Sequence, residues 1–509
     1  LRVAIVDCYT DEPAGLGVPP TIGTYPRYLF GAFDAVGAEV FYLTIDDLRS
    51  IQRQPAPLEE QVKTVIAVRN PTPNCALAAT ILSSADLVIV IAGINTPGTY
   101  LSAYPGTTKE VAQHLAGICP SVPTILTGPA ASVGSGQWGG KRARGKDADA
   151  PLFDFVTPRV EHAADDIATS RWDGCPPEEY GYADLARYAV RGAGIVAQLP
   201  HRPEFLIAEV ETMRGCAKEE PCSFCTEHLK YSAVSRRPAQ DILSEVRALS
   251  AAGLRNIRLG KQSCIYSYGS AEELSALFGA LRAYCDVLHI DNVNPLFVTA
   301  EKTKALVRWC TEGNVASMGV ESFDPEVIRR NSLGTDLDTI LHAVQTINRY
   351  GAQRGANGMP LFLPGINLLF GLDGESKRTH EHNRAALSDI LNGGLLLRRI
   401  NIREVVVFPE TPLYRGAGTK YLKKNRTLYW KWRNDIRQSI DSPMLARVVP
   451  TGTELRRLRT EVYDGNTTFA RQVGTYPLVV GIKGRLGLDR FVDVRVEGHM
   501  LRSVTGTLC

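Results

Sequence analysis

The segment Glu211-Thr212-Met213-Arg214-Gly215-Cys216-Ala217-Lys218-Glu219-Glu220-Pro221-Cys222-Ser223-Phe224-Cys225 carries three cysteines in the spacing C-x5-C-x2-C. It follows an apolar run, Phe205 to Val210, that reads as a β-strand. Three thiolates on one loop can each take one iron of a cubane and leave the remaining iron open. An open metal position is the mark of a catalytic site rather than a structural one. Cys216, Cys222 and Cys225 are therefore the candidate metal ligands. The alternative is structural zinc, with His228 just beyond Cys225 as a further ligand, although such sites usually need paired knuckles.

Downstream of this loop the chain alternates strand and helix. Pro238 to Ala251 places Ile242, Leu243, Val246 and Leu249 on one helical face. Strands are expected at Asn256–Leu259, Val287–Ile290, Val315–Val320, Ile366–Phe370 and Arg403–Phe408, with helices such as Leu337–Tyr350 and Lys377–Leu391 between them. About six βα units make a partial parallel barrel, with its site at the carboxyl ends of the strands.

Upstream, residues 1–150 show a second alternating series. Arg2–Val6, Val40–Ile45, Leu87–Ala92 and Pro123–Leu126 read as strands, and Tyr25–Val36 and Thr107–Gly117 as helices. Apolar strands in that alternation imply a doubly wound, Rossmann-like sheet covered on both faces, which binds ligands at its strand carboxyl ends. No GxGxxG follows the first strand, which counts against NAD or FAD. Residues 151–200 read as a linker, with Gly134 to Arg144 before them as an exposed loop. After the barrel (201–415), a helical connector is expected over 416–470, including Trp430–Ile440 and Thr453–Tyr463, and a small β module over 471–509.

Composition narrows the class. The 57 basic and 54 acidic residues leave a net charge of +3, too near neutral to imply a nucleic-acid or membrane partner. The run Lys420 to Arg426 reads as a solvated helix face. No apolar stretch approaches the roughly 20 residues that span a bilayer, and Leu1 to Asp7 reads as a strand rather than a signal peptide, so a cytoplasmic protein is expected. The remaining cysteines, scattered within an odd total of 11, read as buried small hydrophobes rather than a disulfide framework.

The cysteine loop and its barrel resemble the radical S-adenosylmethionine (SAM) superfamily, whose usual spacing, C-x3-C-x2-C, is two residues shorter. That resemblance implies a 4Fe–4S cluster on Cys216, Cys222 and Cys225, with SAM chelating the open iron. It implies that Phe224 packs near the adenine, that Gln262 in Leu259-Gly260-Lys261-Gln262 lies where the SAM amino group binds, and that Glu321 and Ser322 contact SAM. Leu368 to Glu375 resembles the fifth-strand segment of the family. The first domain resembles the cobalamin-binding domain fused ahead of many such barrels. Its loops at Thr96, Pro97 and Gly98 and at Thr127, Gly128 and Pro129 would then hold cobalamin, base-off because no D-x-H-x-x-G motif supplies a histidine.

Over residues 1–415 the chain is similar to the cobalamin-dependent radical SAM methyltransferases, and in organisation and cysteine spacing to the archaeal glutamine C-methyltransferases of methyl-coenzyme M reductase. The resemblance implies one SAM methylating the corrinoid and a second yielding a 5′-deoxyadenosyl radical. It further implies a protein or peptide substrate, the α subunit of methyl-coenzyme M reductase in methanogens, and an electron donor such as a ferredoxin; the near-neutral charge counts against a nucleic-acid partner. Two alternatives stand beside it. One is a tRNA methylthiotransferase with two clusters, whose TRAM-type RNA module the tail resembles. The other is a non-enzymatic corrinoid carrier or zinc-stabilised scaffold.

Overall fold

The computed structural model describes residues 1–11, 13–52, 68–94, 102–136, 138–175 and 181–509. The first strands are β1 (Arg2–Asp7), β2 (Thr21–Ile22), β3 (Glu39–Thr44), β4 (Leu87–Ile91), β5 (Thr124–Thr127) and β6 (Phe155–Val156). Five of these form a parallel sheet in the order β3-β1-β4-β5-β6. β4 is buried from end to end, and β1 from Val3 to Asp7, because helices cover both faces, as their apolar character requires. The order reverses direction between β1 and β4, and such a switch point is where a doubly wound sheet opens a crevice for a ligand.

The second unit contains β7 (Ile207–Glu211), the short hairpin β8 (Met213–Arg214) and β9 (Ser235–Arg236), then β10 (Asn256–Gly260), β11 (Val287–Ile290), β12 (Asn314–Glu321), β13 (Phe362–Phe370) and β14 (Arg399–Glu404). β7, β10 and β11 pair in parallel, as do β12, β13 and β14. The Val293–Met318 bridge, with Val293 N–H on Ser317 O at 2.9 Å, joins the two sheets into one six-stranded partial barrel. Alternate residues face outward, and Val210, Leu259, Ile290, Met318, Leu368 and Ile402 pack beneath the helices in one large core.

Both free edges of this barrel are covered by the first unit. β2 pairs with β7, so Thr21 and Ile22 extend the sheet on one side. On the other, Val407 N–H donates to Lys141 O and Ala143 N–H to Val407 O, each at 3.0 Å. The apolar run Val405–Phe408 was expected inside the last strand, but β14 is Arg399–Glu404 and the run continues it as the partner of residues 140–143. The segment Gly134–Arg144, expected as an exposed loop, thus supplies an edge.

Two further boundaries differ from expectation. The described residues within 151–200 are folded into the first unit: the sheet extends to β6, and helix Tyr182–Ala189 and the turns at Arg191–Gln198 pack on helix Thr24–Ala35. Residues 454–464 are strand, not helix. Leu455 and Leu458 are three residues apart, a helical step, because a register shift falls between them, while Leu458 and Val462 are two alternations apart with Thr460 between; the two steps together mimic a helix. The bulge adds a residue to a two-residue alternation. The tail is a closed antiparallel and parallel barrel of β15 (Glu454–Asp464), β16 (Thr467–Gln472), β17 (Val479–Lys483), β18 (Phe491–His499) and β19 (Ser503–Leu508), in the order β15-β16-β17-β19-β18. No helix among the described residues is long and apolar enough to cross a membrane.

Candidate functional site

The cysteine loop leaves the carboxyl end of β7 through Gly215, whose φ of 77° no side chain adopts cheaply and whose Cβ would lie 2.5 Å from Ala233 O. The loop is then clamped at both ends of its last segment. Ser223 N–H donates to Asn331 O at 3.0 Å, and Ser223 Oγ to Asn331 Oδ1 at 2.7 Å. Asn331, fully buried, also donates to Asp373 O at 2.9 Å, so one amide ties the cysteine loop to the turn after β13. Leu413 N–H closes on Ser223 O at 2.8 Å.

Lys218 occupies the long x5 interval. Its ammonium donates to Ser332 O at 2.6 Å, to Leu333 O at 2.9 Å and to Cys222 Sγ at 3.0 Å. Glu227 N–H points at Cys225 Sγ at 3.4 Å. Donors aimed at sulfur suit a thiolate, and hydrogen bonds to cluster sulfurs tune the potential of an iron–sulfur centre. Burial pushes the Cys225 thiol up to about 12 and raises that of Cys222. Such thiols are deprotonated by a metal rather than by solvent. All three cysteines are half-buried and unbridged. Among the described residues no three His, Cys, Asp or Glu side chains are gathered as a ready-made metal site, Cys216, Cys222, Cys225 and His228 included. The donor set, three thiols on one clamped loop with N–H groups on two of the sulfurs, fits a cluster with one open iron.

The inward face of the barrel is polar. Glu209, Arg258 and His289 stand in register on β7, β10 and β11, and Asn367 and Asn401 on β13 and β14. Glu321 ends β12 at a bulge with φ 64°, a left-handed conformation costly for a residue with a side chain. Burial pushes its carboxyl up to about 8, against the pull of Arg403 and Lys218. Glu321 does not cap the next helix; Asp324 does, accepting from Glu326 N–H at 3.0 Å. Ser322 is buried and accepts from Asp324 N–H at 3.1 Å, which makes it part of that turn. Gln262 is buried too, its amide donating to Leu259 O at 3.2 Å and accepting from Thr212 Oγ1 at 3.1 Å. Phe224 packs with Cys222 against Leu369, Leu372, Val405 and Leu422 beneath the loop.

In the first unit, Thr96, Pro97 and Gly98 lie outside the described residues. Thr127 and Thr157 end up fully buried at the carboxyl ends of β5 and β6, their hydroxyls without a hydrogen-bond partner among the described residues. Gly128 (φ 82°) and Gly93 (φ 89°) interlock, and Ala130 N–H closes on Ala92 O at 2.9 Å. At the end of β1, Asp7 accepts from Tyr9 N–H at 2.7 Å and from Tyr42 OH at 3.0 Å, and burial lifts its carboxyl to about 6. Orphan hydroxyls at the carboxyl ends of strands in a doubly wound sheet fit a ligand with a polar tail.

Sequence reasoning missed Lys218 and Asn331. The extra length of the C-x5-C interval was the available signal for Lys218; Asn331 has none, since its value lies in contacts more than 40 residues away.

No family model matches the chain. The uncharacterized protein MJ0274 of Methanocaldococcus jannaschii is 39% identical over 99% of this chain and 93% of its own length. The chain belongs to the family of that protein. A further uncharacterized protein of the same family, from Archaeoglobus fulgidus, is 37% identical over 99% of this chain and 89% of its own. Among solved structures, the radical SAM methyltransferase TsrM of Kitasatospora setae, with cobalamin and a 4Fe–4S cluster bound, superposes with a TM-score of 0.54. That match covers 81% of this chain and 73% of TsrM at 15% identity, which establishes a shared fold. The chain thus has the expected α/β architecture: a Rossmann-like unit, a partial parallel barrel and a small β module.

Proposed function

We propose that the chain is a cobalamin-dependent radical SAM methyltransferase that methylates an unactivated carbon. The observation that carries this is the clamped three-thiol loop, with Lys218 and Glu227 donating to its sulfurs, at the mouth of a polar barrel that the switch-point unit overhangs.

Bound together, the cluster, SAM and a base-off cobalamin would supply a hydrogen-abstracting radical and a methyl donor. Cys216, Cys222 and Cys225 would hold the cluster, and Lys218 would fix the orientation of the Cys222 sulfur. Glu321, Asn367 and Asn401 face the lumen and would bind and orient SAM and substrate. Phe224 and Leu369 would form the apolar wall beside the adenine. The two covered edges of the barrel would keep water from reactive species. Thr127, Gly128 and Pro129 would border the corrinoid tail.

We propose further that the substrate is a protein carbon, the Cα of a glutamine in the α subunit of methyl-coenzyme M reductase, which would make the reaction a post-translational modification. Anaerobic reconstitution with iron, sulfide and cobalamin tests the proposal. About four irons and one base-off corrinoid per chain, and methylation of a peptide spanning that glutamine, are expected. Two clusters without corrinoid would point to sulfur insertion instead, and zinc without iron would end the proposal.

A further inference from the structure

The helix Lys420–Ile436 presents two contrasting faces. Its inner face is fastened to the cysteine loop region. Leu422 belongs to the same apolar cluster as Cys222 and Phe224, and it lies so close to Gly371 that a Cβ there would fall 2.3 Å from Leu422 Cδ2. One turn on, Asn425 donates to Glu375 Oε1 at 2.9 Å, while Gly371 N–H donates to the other oxygen of the same carboxylate.

The outer face is basic. Lys420, Lys423, Lys424, Arg426 and Lys431 are exposed, together with Trp430 at 54% exposure. Arg433 lies over the Trp430 ring at 5.0 Å. The helix has one acid, Asp435, which is engaged by His380 at 3.0 Å and Arg384 at 3.3 Å. Among the described residues Lys423, Lys424 and Lys431 form no ion pair. Five exposed cations on one helix stand out in a chain whose total charge is only +3. Lys423 and Lys424 adjoin Leu422 in the helix, so this end of the basic face backs onto the apolar cluster against which Cys222 packs.

We infer that this face is the docking surface for an acidic protein carrier of single electrons. The inference rests on the cluster reading above. Charge complementarity selects an acidic partner and speeds its encounter. The position behind Cys222 selects an electron carrier over other acidic molecules, because it brings a redox centre near the cluster without blocking the lumen. In the step itself, the carrier's hydroquinone gives up one electron and becomes the semiquinone, and the cluster is reduced by that electron.

The test uses cluster-loaded full-length protein, with an acidic flavodoxin as the probe and a photoreduced deazaflavin as a small reductant. The readout is the rate of cluster bleaching, followed anaerobically. For the combined variant K423E/K424E/K431E, reduction by flavodoxin should fall about tenfold or more at low salt. The wild-type rate should drop with ionic strength while that of the variant stays flat, and the deazaflavin rates of the two should agree. Equal flavodoxin rates would overturn the inference. So would loss of binding to a short RNA with unchanged flavodoxin rates, which would give the face to nucleic acid. A protein that takes up no reducible cluster with either donor loses the underlying reading and the docking surface with it.

Discussion

The two halves of the barrel are built from the same strand–helix unit but treat their inward faces differently. Along β7, β10 and β11 the lumen is filled by a ladder of charges. Lys261 bridges Asp11 at 3.4 Å and Glu209 at 3.3 Å, and Arg258 reaches Glu209 at 2.9 Å and Asp291 at 3.9 Å. Tyr476, from the turn before β17, donates its hydroxyl to Asp291 at 2.6 Å while its ring lies under Arg399 at 4.3 Å. The ladder runs from the switch-point unit through the barrel to the C-terminal barrel. Along β12, β13 and β14, by contrast, the half-buried inward residues are the mixed set Glu321, Asn367, Leu369, Asn401 and Arg403, two of them amides and one apolar. The first half is therefore a strut that ties the three units together, and under the function proposed above the second would hold SAM and substrate.

The largest effect should come from breaking the strut. R258M leaves Glu209 and Asp291 buried with too few partners, which costs about 3–5 kcal/mol; chemical denaturation of the apo-protein measures it. A loss below about 1 kcal/mol would make the ladder ornamental.

Next in size is a pH effect at the switch point. Asp7 has its carboxyl raised to about 6 from an ordinary 3.8, so the folded protein holds that proton more tightly than the unfolded chain. Its contribution to stability is fully present below pH 3.8 and is lost as pH rises through about 6. D7N keeps acceptance from Tyr9 N–H and can donate to Tyr42 OH. It should remove this slope, gaining about 2–3 kcal/mol at neutral pH relative to its standing in acid. Parallel pH profiles for the two proteins would show that Asp7 is not desolvated.

Y476F removes one charge-assisted hydrogen bond from the strut and should cost about 1.5–3 kcal/mol by the same denaturation assay. Smallest of all, N401A on the open half should change stability by less than about 0.5 kcal/mol. The same variant should weaken SAM or substrate binding measurably by calorimetry on loaded protein. If instead N401A destabilises the fold as much as Y476F and leaves binding alone, the division of labour between the two halves is wrong.

Much of this contrast was legible from residues alone. Apolar alternation located the strands whose outward faces form the core, and the cysteine spacing singled out the clamped loop, because both are local patterns. The strut was not legible. Asp11 and Lys261 are 250 positions apart, and Arg258 and Tyr476 are more than 200 apart, so no window contains the pair that matters. Strand β15 was misread for a different reason: a bulge turned one step of its alternation into a helical spacing. Gln262 and Ser322 look like ligand-binding polar residues in a loop, yet both spend their side chains on neighbouring backbone and hydroxyl groups.

The central claim is that the clamped thiols hold a cluster that cleaves SAM. Its most direct test is 5′-deoxyadenosine formation by anaerobically reconstituted protein after reduction, comparing wild type with C222A. The account predicts 5′-deoxyadenosine from the wild type and none from C222A, with the variant still folded by circular dichroism. A loaded wild type that forms none, or a C222A protein that forms as much, would contradict it.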